Sequence, residues 1–152
     1  MKIVMLENNE TDMKRLLDLL INHFIPEHSM GKLSAKEFNF AKGYAWLVEN
    51  VNCGAWAVED DDGVFVGSIG LNLTSPWYSD TKYLTDGWFY VLPEHRNTGV
   101  GKMLLDRAKE FAEESGMPLI VGVFNAEDTE SKFDIMQRMG MKVVGGLFAA
   151  GV

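Results

Sequence analysis

The stretch that most limits how this chain can fold is Trp88 to Ala112, WFYVLPEHRNTGVGKMLLDRAKEFA. It opens as an apolar strand, Trp88 to Leu92, and stops at Pro93, which has no N–H to give a sheet ladder. A polar turn, Glu94 to Thr98, leads into Gly99-Val100-Gly101. Apolar residues then fall at Val100, Met103, Leu104, Ala108, Phe111 and Ala112, the spacing of one buried helix face. Strand, glycine turn and helix together suit a phosphate. The glycines let a ligand reach the main chain, and the first helical turn presents unpaired N–H groups at the positive end of the helix dipole. Arg96 and Lys102 flank the turn with positive charge.

Two familiar phosphate loops do not fit. A Walker loop requires G-x-x-x-x-G-K-[ST], but Gly101-Lys102 is followed by Met103 and Arg96 stands where the first glycine should be. A dinucleotide fingerprint requires a third glycine, and this chain has Leu104 there.

The stretch resembles the GCN5-related N-acetyltransferase (GNAT) family, whose central motif is a strand ending in V-x-P followed by R/Q-x-x-G-x-G/A opening a helix. Here the motif reads Val91-Leu92-Pro93 and Arg96-Asn97-Thr98-Gly99-Val100-Gly101. The resemblance covers most of the chain, with its motif-level strength in residues 85 to 125. It implies an α/β (α+β) acyl-CoA N-acyltransferase fold, a mixed, mostly antiparallel central sheet flanked by helices. It also implies one N-acetyltransferase domain over residues 1–152 and acetyl-CoA as co-substrate.

The remaining segments fit that order. Lys2 to Glu7 is apolar enough for a first strand, and Asn9 or Thr11 can cap a helix carrying Met13, Leu16, Leu17, Leu20 and Phe24, ended near Pro26. Glu27 to Leu33 is read as a loop, after which Ser34 and Glu37 form a capping box for a second helix ending before Asn52. Ala55 to Val58 and Val64 to Leu73 make a hairpin around the acidic turn Glu59 to Gly63, which lacks the ligand pattern of a calcium loop. Gly67 and Gly70 mark a bulge or a close approach in the second of these strands. Trp77 and Tyr78, in the polar loop Thr74 to Lys82, either cap the core or line a substrate pocket. Leu119 to Phe124 reads as a buried strand, Ala126 to Met139 leads into and through a helix, and Met141 to Val152 reads as a last strand, or as two broken at Gly145-Gly146.

Composition narrows the classes. With 152 residues, 47% apolar and 24% charged, the chain can bury an ordinary core. Fourteen basic against 22 acidic residues give a net charge of −8, which argues against nucleic acid and would steer a cationic amine. No apolar run approaches a membrane span, and the N-terminus does not read as a secretory signal. The single cysteine, Cys53, fits a reducing cytoplasm. The hydrophobic tail leaves a homodimer open.

The chemistry implied by the resemblance is acetyl transfer from acetyl-CoA to a small-molecule or peptide amine, with direct attack in a ternary complex and no metal. The resemblance gives the pyrophosphate the N–H groups of Asn97, Thr98, Gly99, Val100, Gly101 and Lys102, with Arg96 beside them. It lays the pantetheine arm along Phe89 to Val91 and gives Asn125 a contact with that arm. His28 would face the acceptor, as would Trp77 and Tyr78 if they line a pocket.

Two departures stand out. The strand before Asn125 has no glutamate for a base, and Met136 stands four residues before Gly140, where many members carry a tyrosine acid. The surviving base is Asp86, placed by strand alternation on the face of Trp88 and Tyr90, where burial would raise its pKa. Tyr90 could orient a water or act as the acid. The alternative is a catalytically degenerate module that binds acyl-CoA as a sensor.

Overall fold

The computed structural model describes residues 1–28, 37–123 and 129–151. Five strands lie in sequence order in one sheet: β1 (Lys2–Met5), β2 (Ala55–Glu59), β3 (Phe65–Thr74), β4 (Tyr83–Val91) and β5 (Leu119–Ile120). The first four pair antiparallel, and β5 runs parallel to β4. Among the described residues the longer helices beside them are α1 (Glu10–Leu19), α2 (Phe40–Cys53), α3 (Val100–Glu114) and α4 (Thr129–Arg138). The mixed, mostly antiparallel sheet that the resemblance implies is the one that forms.

Local chemistry sets the helix limits. Asn9 caps α1 through its side-chain oxygen, which accepts from the Asp12 N–H. The helical run ends near Pro26 as expected, at Glu27, but not as one regular helix. The chain passes through a π-helical turn, Leu20–Phe24, and closes with a last helical turn, Ile25–Glu27. The wider turn, in which the Ile25 N–H reaches back to Leu20 O, gives the proline ring the space that a regular α-turn would deny it. The second helix starts later than a Ser34–Glu37 box would place it. Asn39 caps it by accepting from the Lys42 N–H, and Ser34 lies outside the described residues.

The hairpin turn is an aspartate-closed loop. Asp60 Oδ1 accepts from the Asp62 and Val64 N–H groups, and Gly63 takes φ +75°. The tightest fit in the sheet is at Gly70, where a Cβ would lie 2.2 Å from the Trp88 ring. That ring cannot move away, because its Nε1–H donates to Ser68 Oγ at 3.0 Å and Ser68 in turn donates to Trp56 O at 2.8 Å. Gly70→Ala should therefore cost about 3 kcal/mol or more, read as a fall in the urea midpoint. A loss under about 1 kcal/mol would mean that the tryptophan can repack.

Two strand expectations need correction. Among the described residues of the expected Leu119–Phe124 strand, only Leu119 and Ile120 pair with β4, at Leu84 and Thr85, and Ile120 is exposed; Phe124 lies outside the described residues. Met141 to Gly151 forms no ladder among the described residues, and Val144, Leu147 and Phe148 are exposed there. A strand needs a partner for its N–H and C=O groups, and none of the described residues supplies one to this segment. Among the described residues no helix is long and apolar enough to cross a membrane.

Candidate active site at the split edge of the sheet

The short pairing of β5 creates the site. Beyond Thr85 and Ile120 the two strands separate, and a cleft of about 910 Å³ opens beside β4. Its walls are the end of the α1 segment, β4 from Asp86 to Val91, the turn into α3, Gly122-Val123, and one face of α4. The Leu92 N–H is spent on Val66 O in β3. Alternation along the strand therefore turns the backbone groups of Phe89 and Val91 away from β3 and toward the cleft. Val91 O confirms that direction, since it accepts from Arg96 Nε at 2.9 Å.

At one end of the cleft is the glycine turn. Asn97 and Gly99 both take positive φ, +63° and +92°, which swings the chain into α3. No side chain caps that helix, so its first-turn N–H groups are left for a ligand. A Cβ on Gly101 would sit 3.8 Å from Val91 and 4.0 Å from Phe89, on the cleft wall. Val100 is buried in the core and can offer only its main chain, and the Thr98 hydroxyl is taken by His95 O. The two cations of the turn are already paired, Lys102 with Asp106 and Arg96 with Glu27.

At the other end is Asp86. Its Oδ1 accepts from the Gly122 N–H at 2.8 Å, so the carboxylate fills the gap where β5 leaves β4. Burial raises its pKa to about 6, against the bonds from backbone N–H groups that lower it. The raised value agrees with the sequence reading, but the face does not. Leu71 pairs with Asp86 while the adjacent Gly70 pairs with Trp88, so β4 carries one extra residue at Gly87. This bulge puts Asp86 on the opposite face of the sheet from Trp88 and Tyr90. The cause lies in α2: a Cβ on Gly87 would meet the buried Asn50 amide at 2.1 Å, and Asn50 Oδ1 itself has no hydrogen-bond partner.

Tyr90 brings in a residue that the sequence reading missed. Its hydroxyl donates to Glu27 Oε1 at 2.6 Å, and Arg96 donates to Glu27 Oε2 at 2.7 Å. Burial pushes the Glu27 carboxyl up, but these two partners outweigh it and hold it below its usual value. Burial and the Glu27 carboxylate push the Tyr90 phenol well up, which makes it a poor proton donor and a good anchor for Glu27. His28 packs at a tilt against Phe24, with ring centroids 4.9 Å apart, and lines the cleft, its pKa lowered by burial. Nothing local in the sequence marks Glu27, because its partners lie 63 and 69 positions away. Ser131, Ile135 and Met139, with Lys132 and Met136, also face the cleft at helical spacing.

Trp77 and Tyr78 neither cap the core nor line the cleft. They pack edge-to-face on each other and are 96% and 74% exposed, because the β3–β4 loop projects from the far end of the strands. Asn125 lies outside the described residues.

Residues 14–139 match the family model described as "Acetyltransferase (GNAT) family". No curated protein matches the chain in sequence. Solved structures match it in fold. AAC(6')-Iy, bound to the bisubstrate analogue CoA-S-monomethyl-acetylneamine, shares 16% identity over 99% of this chain and 97% of its own, with a TM-score of 0.68. The aminoglycoside 6'-N-acetyltransferase AAC(6')-IG of Acinetobacter haemolyticus shares 15% over 100% and 98%, at 0.65. The glucosamine-6-phosphate N-acetyltransferase of Arabidopsis thaliana shares 14% over 98% and 96%, at 0.64.

Proposed function

Since the chain belongs to the acetyltransferase (GNAT) family and is an acyltransferase, we propose that residues 1–152 act as one N-acetyltransferase domain. The domain moves an acetyl group from acetyl-CoA to a small-molecule amine by direct attack. The observation that carries this reading is the continuity of one cleft from the uncapped start of α3, along the outward-facing edge of β4, to Asp86. A pyrophosphate fits the first end, where Gly99, Gly101 and the N–H groups of Val100 to Lys102 leave room and positive potential. A flat amide arm fits the edge at Phe89 and Val91, as an added strand would.

Asp86, with a pKa of about 6, is ionised at neutral pH yet basic enough to take a proton from the arriving ammonium. The freed nitrogen bonds to the acetyl carbon, the carbon–sulfur bond breaks with its electron pair leaving on sulfur, and the second proton shed by the nitrogen passes through solvent to the thiolate. An N–H of β4 at Phe89 or Val91 supports the oxyanion as charge moves onto the carbonyl. Arg96, Asn97 and Lys102 border the pyrophosphate end, and His28 borders the acceptor. Acceptors named for the similar structures, aminoglycosides and glucosamine 6-phosphate, are small-molecule amines too.

Calorimetric titration with acetyl-CoA, followed by thiol detection over an amine panel, tests the reading. Micromolar binding with amine-dependent thiol release is the expected result. Binding with no thiol from any amine would identify an acyl-CoA sensor, and no binding would remove the co-substrate assignment.

A further inference from the structure

We infer that Arg96 and Glu27 select the acyl donor: Glu27 holds Arg96 on the carbonyl that the donor arm uses, so Arg96 yields to a donor carrying a pyrophosphate and resists one without it. The inference rests on the acetyltransferase reading above and assigns donor specificity within that site. Glu27 is then a positioning residue, acting through Arg96 rather than on the donor.

Three observations carry the assignment. First, Arg96 stands in the path of the arm. Its Nε–H donates to Val91 O at 2.9 Å, and that carbonyl lies on the β4 edge where a flat amide arm would add as a strand. An arm N–H aimed at the same oxygen needs the space that the guanidinium fills. Second, Arg96 is tied there from the opposite wall. A terminal nitrogen donates to Glu27 Oε2 at 2.7 Å, while Glu27 Oε1 accepts from the Tyr90 hydroxyl at 2.6 Å. Tyr90 is buried and packs edge-on against Phe24, with ring centroids 5.9 Å apart, so the carboxylate is anchored and the exposed arginine is the partner that can turn away. Lys132 of α4 also acts on Glu27 with its charge and offsets the carboxylate once Arg96 has turned. Third, Arg96 has somewhere to go. It stands three residues before Gly99 and the uncapped start of α3, where the pyrophosphate is placed. Phosphate oxygens accept bidentate from a guanidinium and so replace the bond lost to Glu27. A thioester that ends at pantetheine brings amides and no charge, and must displace Arg96 without replacing its ion pair.

Calorimetric titration of wild type, Glu27→Gln and Arg96→Ala with acetyl-CoA and with S-acetylpantetheine tests the assignment. Glu27→Gln loosens Arg96 and should tighten both donors about 5-fold, since a partly exposed, charge-assisted pair is lost. Arg96→Ala clears the carbonyl but removes the pyrophosphate partner, so S-acetylpantetheine should gain about 5-fold while acetyl-CoA loses about 10-fold. A merely structural Glu27 would tighten neither donor. Both side chains lie outside the core, so the fold accepts these changes. The inference is overturned unless both variants gain affinity for S-acetylpantetheine and Arg96→Ala loses it for acetyl-CoA; wild-type binding of acetyl-CoA would then leave acetyl transfer standing. No acetyl-CoA binding by wild type would overturn both.

Discussion

Asp86→Asn should lower kcat by about 10²- to 10⁴-fold and, at the same time, raise the melting temperature at pH 8 by several degrees. The two effects share one cause. In the folded chain Asp86 holds its proton up to about pH 6, against 3.8 for an ordinary aspartate. Between those values the native state binds more protons than the unfolded state, so stability falls as pH rises through the window and stays lowered above it. The shift corresponds to about 3 kcal/mol as an order of magnitude. Asparagine keeps an oxygen for the Gly122 N–H but has no charge to bury and no site for the amine proton. Wild-type kcat/KM should climb to a plateau with an apparent pKa near 6, and melting profiles from pH 4 to 8 should show the lost slope in the variant. A variant that gains stability but turns over at the wild-type rate would reduce Asp86 to a spacer between β4 and β5.

Gly101→Leu should weaken acetyl-CoA binding at least about 100-fold while the free protein melts close to wild type. A Cβ at this position finds ordinary contact distances, 3.8 Å to Val91 and 4.0 Å to Phe89, so the fold accepts it. Leucine also favours the first turn of a helix over glycine by about 1 kcal/mol. The rest of the side chain must extend into the cleft where the turn meets the β4 edge. Gly101→Ala, which adds only the tolerated atom, should keep most of the affinity. Calorimetry on the three proteins reads the difference. Undiminished binding by the leucine variant would move the cofactor away from this turn. Gly99 is a poorer probe, because φ of +92° makes any side chain there strained regardless of ligand.

Much of the scaffold was legible because its causes are local. Pro93, the two glycines and the apolar spacing of α3 act within a turn or two of themselves, so the strand–turn–helix at the heart of the cleft could be read directly. The same holds for the Asp-Gly hairpin. Pattern failed where a distant element overrode it. Alternation predicts one face for Asp86 and Trp88, but Asn50 of α2 leaves Gly87 no room for a side chain, and the bulge there separates them. Aromatic content suggests a role for Trp77 and Tyr78, yet the length of β3 and β4 carries their loop away from the site.

The sequence by itself determined the order of the elements, the phosphate-ready turn and the identity of the one carboxylate that β4 contributes. Those follow from backbone chemistry and short-range periodicity. Only the tertiary structure decided that Glu27 meets Tyr90 and Arg96 and that Asp86 sits where β5 departs. Each of these depends on where separate segments pack against one another, and residues more than thirty positions apart carry no local mark of the contact they will make.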